Sequence, residues 1–144
     1  MKKLLLMLIM YFPLISYSQE IPKRASNVIV KTQLSAKENF SFAIKTILGN
    51  DLIIDTKDAE LGYIKTQQTN NKDGIYFYNI LCSDNQISIS GMSKTGYTIK
   101  FGSVSSSDDF EKIENRGMNG SFFKKMFNNM NEFAKKFNLT LSYK

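Results

Sequence analysis

The stretch Gly74–Cys82 constrains the fold more than any other part of the chain. It reads Gly-Ile-Tyr-Phe-Tyr-Asn-Ile-Leu-Cys, the densest run of β-forming residues in the sequence, and turn residues flank it on both sides. A run that is apolar on both alternating faces indicates a strand inside a sheet rather than at its edge. We expect one face of this strand to pack on helices and the other face to present aromatic side chains.

The first eighteen residues have the organisation of a secretory signal peptide. Lys2 and Lys3 precede the apolar run Leu4–Leu14, and Ser16-Tyr17-Ser18 places small residues at the two positions that signal peptidase reads. We therefore predict cleavage before Gln19 and export to the periplasm or beyond the cell. An uncleaved membrane anchor is the alternative, although the run is shorter than the roughly 20 apolar residues that a spanning helix needs.

The remainder of the chain divides into a mobile leader, residues 19–26, and a single domain, residues 27–144, which is long enough for one hydrophobic core. The whole chain has 19 basic and 13 acidic residues, and loss of Lys2 and Lys3 still leaves a basic excess. This excess favours anionic partners, including peripheral contact with phospholipid headgroups. Export makes nucleic acid an unsuitable partner.

Two helices are predicted from capping and periodicity. Ser35-Ala36-Lys37-Glu38 has the capping-box pattern of a helix start, and Gly49 stands where a left-handed residue would end that helix. The second helix is expected over Ser121–Phe137, because Phe and Met residues recur there at helical spacing. Each helix has a single apolar stripe, so each needs one packing partner.

The strands complete an α+β fold in which two helices pack on one face of an antiparallel sheet. The element order is β-α-β-β-β-β-α, with Leu139–Tyr143 as a candidate terminal strand and residues 102–120 as a surface loop containing one helical turn. Short turns join the four consecutive strands, which predicts a meander. The predicted strands are Asn27–Thr32, Leu52–Asp55 with Leu61–Thr69 (one bent strand or two), Ile75–Cys82, Gln86–Ser90 and Tyr97–Phe101.

Composition argues against most catalytic chemistries. The chain has no histidine, which removes the commonest general base and the commonest metal ligand. The single cysteine, Cys82, has no neighbour in sequence that would lower its pKa, so we expect a buried, inert thiol. We expect neither enzymatic activity nor a cofactor nor a metal site.

Two groups of carboxylates keep a metal-dependent hydrolase open as an alternative, although neither group has calcium-loop spacing and solvated turns explain both more simply. A carboxylate pair for glycoside hydrolysis is also open, because such pairs form in space. The groups are Asp51, Asp55, Asp58 and Glu60, and Asp108, Asp109, Glu111 and Glu114.

The face of the sheet without helices is the predicted binding surface. If Ile64, Ile87 and Ile89 point at the helices, alternation leaves tyrosines and lysines on the other face. In the central strand we expect Phe77 inward and a bulge at Asn79 that returns the following residues to the core. Tyrosine combines a rigid apolar ring with a polar tip, which suits recognition. The predicted binding residues are Tyr63, Lys65, Tyr76, Tyr78 and Lys100.

The element order, the helix start at Ser35–Glu38 and the strand start Glu60-Leu61-Gly62-Tyr63-Ile64 together resemble small exported bacterial domains of unknown function that have a TATA-binding-protein-like fold. The resemblance covers roughly residues 27–138 and implies an exported, non-catalytic domain, and it supplies no catalytic residues. DNA binding does not follow from it, because fold does not imply function.

These observations predict an exported, non-catalytic binding module of the cell envelope that holds a protein or another envelope component on its open sheet face. The alternative is a small inhibitor or immunity protein that blocks a toxin or a protease.

Overall fold

The computed structural model of the protein describes residues 20–96, 100–101, 104–105 and 109–144. The predicted signal peptide and the predicted strand residues Tyr97–Ile99 lie outside these ranges. Within them the chain has an α+β fold, as predicted, with two helices and an eight-stranded antiparallel sheet. None of the helices in the described part is both long enough and apolar enough to cross a membrane.

The main sheet has the strand order β10-β1-β6-β5-β3-β2, with β4 pairing to β5 and β9 pairing to β6, and β7 and β8 form a separate two-stranded sheet. The strands are β1 (Val28–Lys31), β2 (Ile54–Asp58), β3 (Tyr63–Thr66), β4 (Thr69–Asn71), β5 (Gly74–Ser83), β6 (Gln86–Lys94), β7 (Lys100–Phe101), β8 (Val104–Ser105), β9 (Glu111–Lys112) and β10 (Leu141–Tyr143). The helices are α1 (Ala36–Leu48) and α2 (Phe122–Lys135).

Helix α1 begins at the predicted capping box. The Ser35 hydroxyl accepts from the backbone N–H of Glu38, and the Glu38 carboxylate accepts from the backbone N–H of Ser35 at 2.9 Å. The predicted end of the helix is wrong in conformation, because Gly49 has φ −71°, and the left-handed residue is Asp51 with φ 59°. The helix therefore ends in an ordinary right-handed turn, and the chain reverses two residues later.

The core lies between one face of the sheet and the two helices. Residues paired across antiparallel strands point to the same side, and the pairs Ile64–Ile80 and Ile80–Ile89 are fully buried. Strand β1 continues this layer, because Val28 pairs with Ile89 in the same orientation. The helices complete the core with Phe40, Ala43 and Ile47 from α1 and Met126, Phe127, Met130, Phe133 and Ala134 from α2.

Gly62 joins β2 to β3 at a position that admits no side chain. Its φ is +64°, and a Cβ there would lie 2.3 Å from the carbonyl oxygen of Cys82. The Gly62 carbonyl accepts from the Cys82 N–H at 2.8 Å, so the turn is bonded directly to the central strand. This requirement accounts for the glycine in the stretch Glu60–Ile64.

The region after β6 differs from the predicted meander. Lys100 and Phe101 pair with β8 rather than with the main sheet, and the place beside β6 is taken by β1 and by the two-residue strand β9. The predicted surface loop also contributes a core residue, since Ile113 is 1% exposed and its side chain lies close to Gly91. The described part of the loop has no helical turn.

The predicted mobile leader is bonded to that same loop. Arg24 N–H donates to the Asn115 carbonyl at 2.9 Å, and Asn115 N–H donates to the Ala25 carbonyl at 2.8 Å. Ala25 is 2% exposed. Residues 20–26 are therefore a packed part of the domain rather than a free tail.

Candidate binding surface

The side chains of the central strand β5 alternate between the two faces without interruption. Two of the predicted binding residues therefore point to the opposite side from the one predicted. Its pairing with β6 is continuous from Ile75–Lys94 to Ser83–Gln86, so there is no bulge at Asn79. Tyr76 and Tyr78 consequently share the helix-facing side with Ile80 and Cys82. The prediction that Tyr76 and Tyr78 point away from the helices is wrong.

Tyr78 is a core residue. It is 2% exposed, and its ring stacks on Phe133 of α2 with centroids 5.2 Å apart and planes 12° apart. Its backbone N–H donates to the Thr66 hydroxyl at 2.9 Å. Burial raises the pKa of Tyr78 well above its usual value, and the neighbouring Tyr76 hydroxyl adds to this rise. Tyr76 is half-buried, with its centroid 5.1 Å from that of Tyr78, and burial also raises its pKa.

The face opposite the helices is centred on a phenylalanine that was expected to be core. Phe77 points to this face, where its ring lies 5.2 Å from that of Phe110 at an interplanar angle of 63°. Lys65 Nζ is 5.1 Å from the Phe77 centroid, and Lys94 Nζ is 4.9 Å from the Phe110 centroid. These four residues are called the aromatic–lysine cluster below. Each ring has a cation over it, an arrangement favoured by the negative face of the ring.

Polar contacts hold the surroundings of this cluster in place. Tyr63 donates its hydroxyl proton to Asn79 Oδ1 at 2.7 Å, and Lys65 Nζ lies 3.2 Å from Asp55 Oδ2. Tyr63 and Lys65 therefore occupy the face predicted for them. The backbone of Lys100 lies in β7, whereas its side chain is outside the described part, so its role stays a prediction.

The described residues of β3, β5 and β6 on this face all keep some exposure, in contrast to the fully buried isoleucines on the other side. Leu81 is 50% exposed, and Met92 is partly exposed. Phe110, from the segment predicted to form a loop, packs on Phe77 and so covers part of the face. The surface therefore combines partly exposed apolar area with lysines.

Several of the described carboxylates take structural roles. Asp58 Oδ1 accepts from the N–H groups of Glu60 and Leu61, which closes the turn after β2. Glu111 and Glu114 both form ion pairs with Arg116. In the described part of the chain, no three His, Cys, Asp or Glu side chains come together in a way that could hold a metal ion.

Cys82 is buried on the core face, 4% exposed, and burial raises its pKa to about 12. A thiol with such a pKa is almost entirely protonated at neutral pH and is a poor nucleophile.

Cavities also lie away from the sheet face. An apolar groove of about 620 Å³ lies where β1 and α2 end, with Leu34, Phe42, Phe137 and Leu139 in its walls and Lys31 as its one charged residue. A second cavity of about 530 Å³ lies between the leader and the start of α2, and four cationic side chains line it. Sequence reasoning identified neither, because their walls come from segments far apart in the chain.

The missed surface residues are Phe77, Lys94 and Phe110. For Phe77 the only local signal is weak: unbroken alternation places it on the same face as polar Asn79, but both faces of this strand carry apolar residues. The Phe110 contact bridges two segments with no shared local pattern, so no signal in the sequence could have located it.

Comparison with known proteins does not assign this chain to a family. Neither the protein-family models nor the curated proteins contain a match to it. The resemblance to TATA-binding-protein-like domains therefore stays a prediction.

Proposed function

We propose that the protein is an exported, non-catalytic binding module of the cell envelope, and that its open sheet face holds an acidic segment of a partner protein. The observation that carries the proposal is the aromatic–lysine cluster of Phe77, Phe110, Lys65 and Lys94. It combines two partly exposed rings with two cations on the face that the helices leave uncovered.

The apolar part of the surface is suited to anchoring a protein segment. Interface centres are enriched in aromatic residues and methionine, and here Phe77, Phe110 and Met92 lie together, since Met92 pairs with Phe77 across β5 and β6. Leu81 extends this area along the same strand and is half exposed. Partly exposed rings become fully buried on binding, which is the main source of affinity at such sites.

The positive charges of the surface favour a negatively charged segment on the partner. Lys65 and Lys94 lie over the rings, and Lys112 is exposed beside Met92, its partner in the sheet register. Asp55 forms an ion pair with Lys65, whereas Lys94 and Lys112 have no carboxylate within ion-pair distance in the described part of the chain. Acidic groups on a partner would complement this margin and increase the rate of association.

The non-catalytic part of the proposal is supported by the chemistry available. The chain has no histidine, its one thiol is buried with a raised pKa, and the described carboxylates of the two predicted clusters largely serve turns and ion pairs. The envelope location is supported by the organisation of residues 1–18. The alternative of an inhibitor or immunity protein stays a prediction.

Selection from a random peptide library displayed on phage tests the surface even while the partner is unidentified. The wild-type protein is the bait, and peptides that also bind Phe77→Ala are discarded. We expect the remaining peptides to contain apolar residues next to Asp or Glu, and their affinity to fall as salt concentration rises.

A matched pair of variants then separates the cluster from general charge. Lys94→Glu should weaken binding of the selected peptides by at least about tenfold, whereas Lys57→Glu should leave it nearly unchanged. Lys57 is an exposed lysine of β2 that pairs with Ile64 and so lies on the opposite side of the sheet. Peptides without acidic residues, or equal losses in the two variants, would refute the proposal.

A further inference from the structure

The cavity between the leader and α2 is built around a buried asparagine. Asn115 is 5% exposed, and its side-chain amide donates to the carbonyl oxygens of Ile21 at 3.2 Å and Pro22 at 2.8 Å. Its Oδ1 accepts from Lys124 Nζ at the start of α2. With the backbone pairing to Arg24 and Ala25, this one residue joins three separate segments into a fixed wall.

Cationic side chains converge on this wall. Lys23, Arg24, Arg116 and Lys124 all line the cavity, and Glu20 is the one carboxylate in the lining. Glu111 and Glu114 compensate Arg116, whose guanidinium lies 3.7 Å from the Phe123 centroid. Its orientation is therefore set by contacts outside the cavity.

The other three cations are not compensated. In the described part of the chain, no carboxylate lies within ion-pair distance of Lys23, Arg24 or Lys124. This includes Glu20, although it lines the same cavity. Lys124 also stands in the first turn of α2, which contains no acidic residue, so the helix dipole adds to the positive potential there. Like charges held together repel one another, and an anion between them would remove that cost.

The backbone beside the cavity is strained in the way that functional sites often are. Arg24 has φ 64°, a conformation that costs a non-glycine residue free energy, and its N–H bond to Asn115 maintains it. This conformation places Lys23 and Arg24 at the cavity instead of continuing the extended leader.

We infer that this cavity binds a doubly charged oxyanion, a phosphate or sulfate group, in the space bounded by Lys23, Arg24 and Lys124. Arginine and lysine are the side chains that bind such groups through charge-assisted hydrogen bonds. At about 530 Å³ the cavity is larger than a bare phosphate ion, so it also has room for the organic part of a phosphate ester. This site is separate from the aromatic–lysine cluster and does not depend on the function proposed for it.

Titration at constant ionic strength tests the inference, with inorganic phosphate, sulfate and glucose 6-phosphate as probes. The readout is the change in amide chemical shifts by NMR. We expect saturable shifts centred on Asn115 and Gly117, next to the cavity. Tighter binding of glucose 6-phosphate would identify an ester as the natural ligand class, and equal binding would identify the free anion.

The double variant Lys23→Gln, Arg24→Asn should weaken binding at least about tenfold, because it removes two of the three cations that bound the site. Asparagine tolerates a positive φ better than most residues, so this variant retains the fold. The control Lys57→Gln, Lys136→Gln removes the same charge from two exposed lysines elsewhere and should bind as the wild type does. The inference is overturned if no probe saturates, if the shifts are spread over the surface, or if both double variants lose affinity equally.

Discussion

Replacing Tyr78 by alanine should destabilise the protein far more than replacing its neighbour Phe77. The two residues are adjacent in β5 and similar in size, but they point to opposite sides of the sheet. Tyr78 is 2% exposed against Phe133, whereas Phe77 is only partly buried, against Phe110 and Lys65. A one-residue shift in strand orientation would exchange their environments, so the pair tests which face is core.

The expected magnitudes follow from these environments. Removing a fully buried aromatic ring costs about 3–5 kcal/mol, from lost burial and the cavity left behind. For Phe77→Ala the loss is about 1–2 kcal/mol, because the ring is only partly buried and mainly the contacts with Phe110 and Lys65 disappear. The free energy of unfolding of such a domain is about 5–15 kcal/mol, so Tyr78→Ala would remove a large fraction of it.

Urea unfolding followed by far-ultraviolet circular dichroism measures both losses, since the chain contains no tryptophan to serve as a fluorescence probe. Should Tyr78→Ala prove too unstable to purify, Tyr78→Phe is the milder test, with an expected loss of about 1 kcal/mol for its hydroxyl. A cost for Phe77→Ala that equals or exceeds that of Tyr78→Ala would refute the orientation of β5. It would also return Tyr76 and Tyr78 to the binding face.

Three further predictions concern particular contacts. Gly62→Ala should cost about 1–3 kcal/mol in urea unfolding, because its Cβ would overlap the Cys82 carbonyl; a neutral effect would contradict the turn geometry. Cys82 should react with a thiol reagent at least about tenfold faster in urea than in the native state. Because burial raises the pKa of Cys82 from 9.0 to about 12, the stabilisation associated with its protonated thiol should be lost as pH rises from 9 towards 12. Equal native and unfolded reactivity would show that the thiol is exposed. Ser35→Ala should cost about 1 kcal/mol at neutral pH. Hydrogen bonds from Ser35 lower the pKa of Glu38, so the wild type should lose more stability than Ser35→Ala as pH falls below 4.5; parallel pH profiles would argue against the capping box.

The features predicted correctly from the sequence are those encoded locally. The hydroxyl of Ser35 and the carboxylate of Glu38 are three residues apart, so their reciprocal bonds need nothing from the rest of the chain. The apolar stripe of α2 is also encoded locally, since helical spacing alone brings Phe127 and Met130 to one side of the helix. The α+β class follows from such elements, because amphipathic helices and alternating strands have few ways to bury their apolar faces.

The binding face was predicted only in part, for a reason that lies in the residues themselves. Tyr63 and Lys65 alternate with buried Ile64, so their side of the sheet was clear from β3 alone. In β5 both sides carry apolar residues, and hydrophobicity then cannot distinguish an inward Tyr78 from an inward Phe77. The pairing of β5 with β3 and β6 decides that Tyr78 faces the helices and Phe77 faces away from them.

The sequence by itself determined the two helices and the strands β1, β3, β5 and β6, the start of α1, and the burial of the Cys82 thiol. Tertiary structure alone decided which side of the strand Gly74–Cys82 faces the helices, because that choice depends on register with neighbouring strands. It also decided that β1 lies between β6 and β10, that Phe110 meets Phe77, and that Asn115 joins the leader to α2. Each of these contacts joins residues far apart in the chain, where no periodicity links one partner to the other.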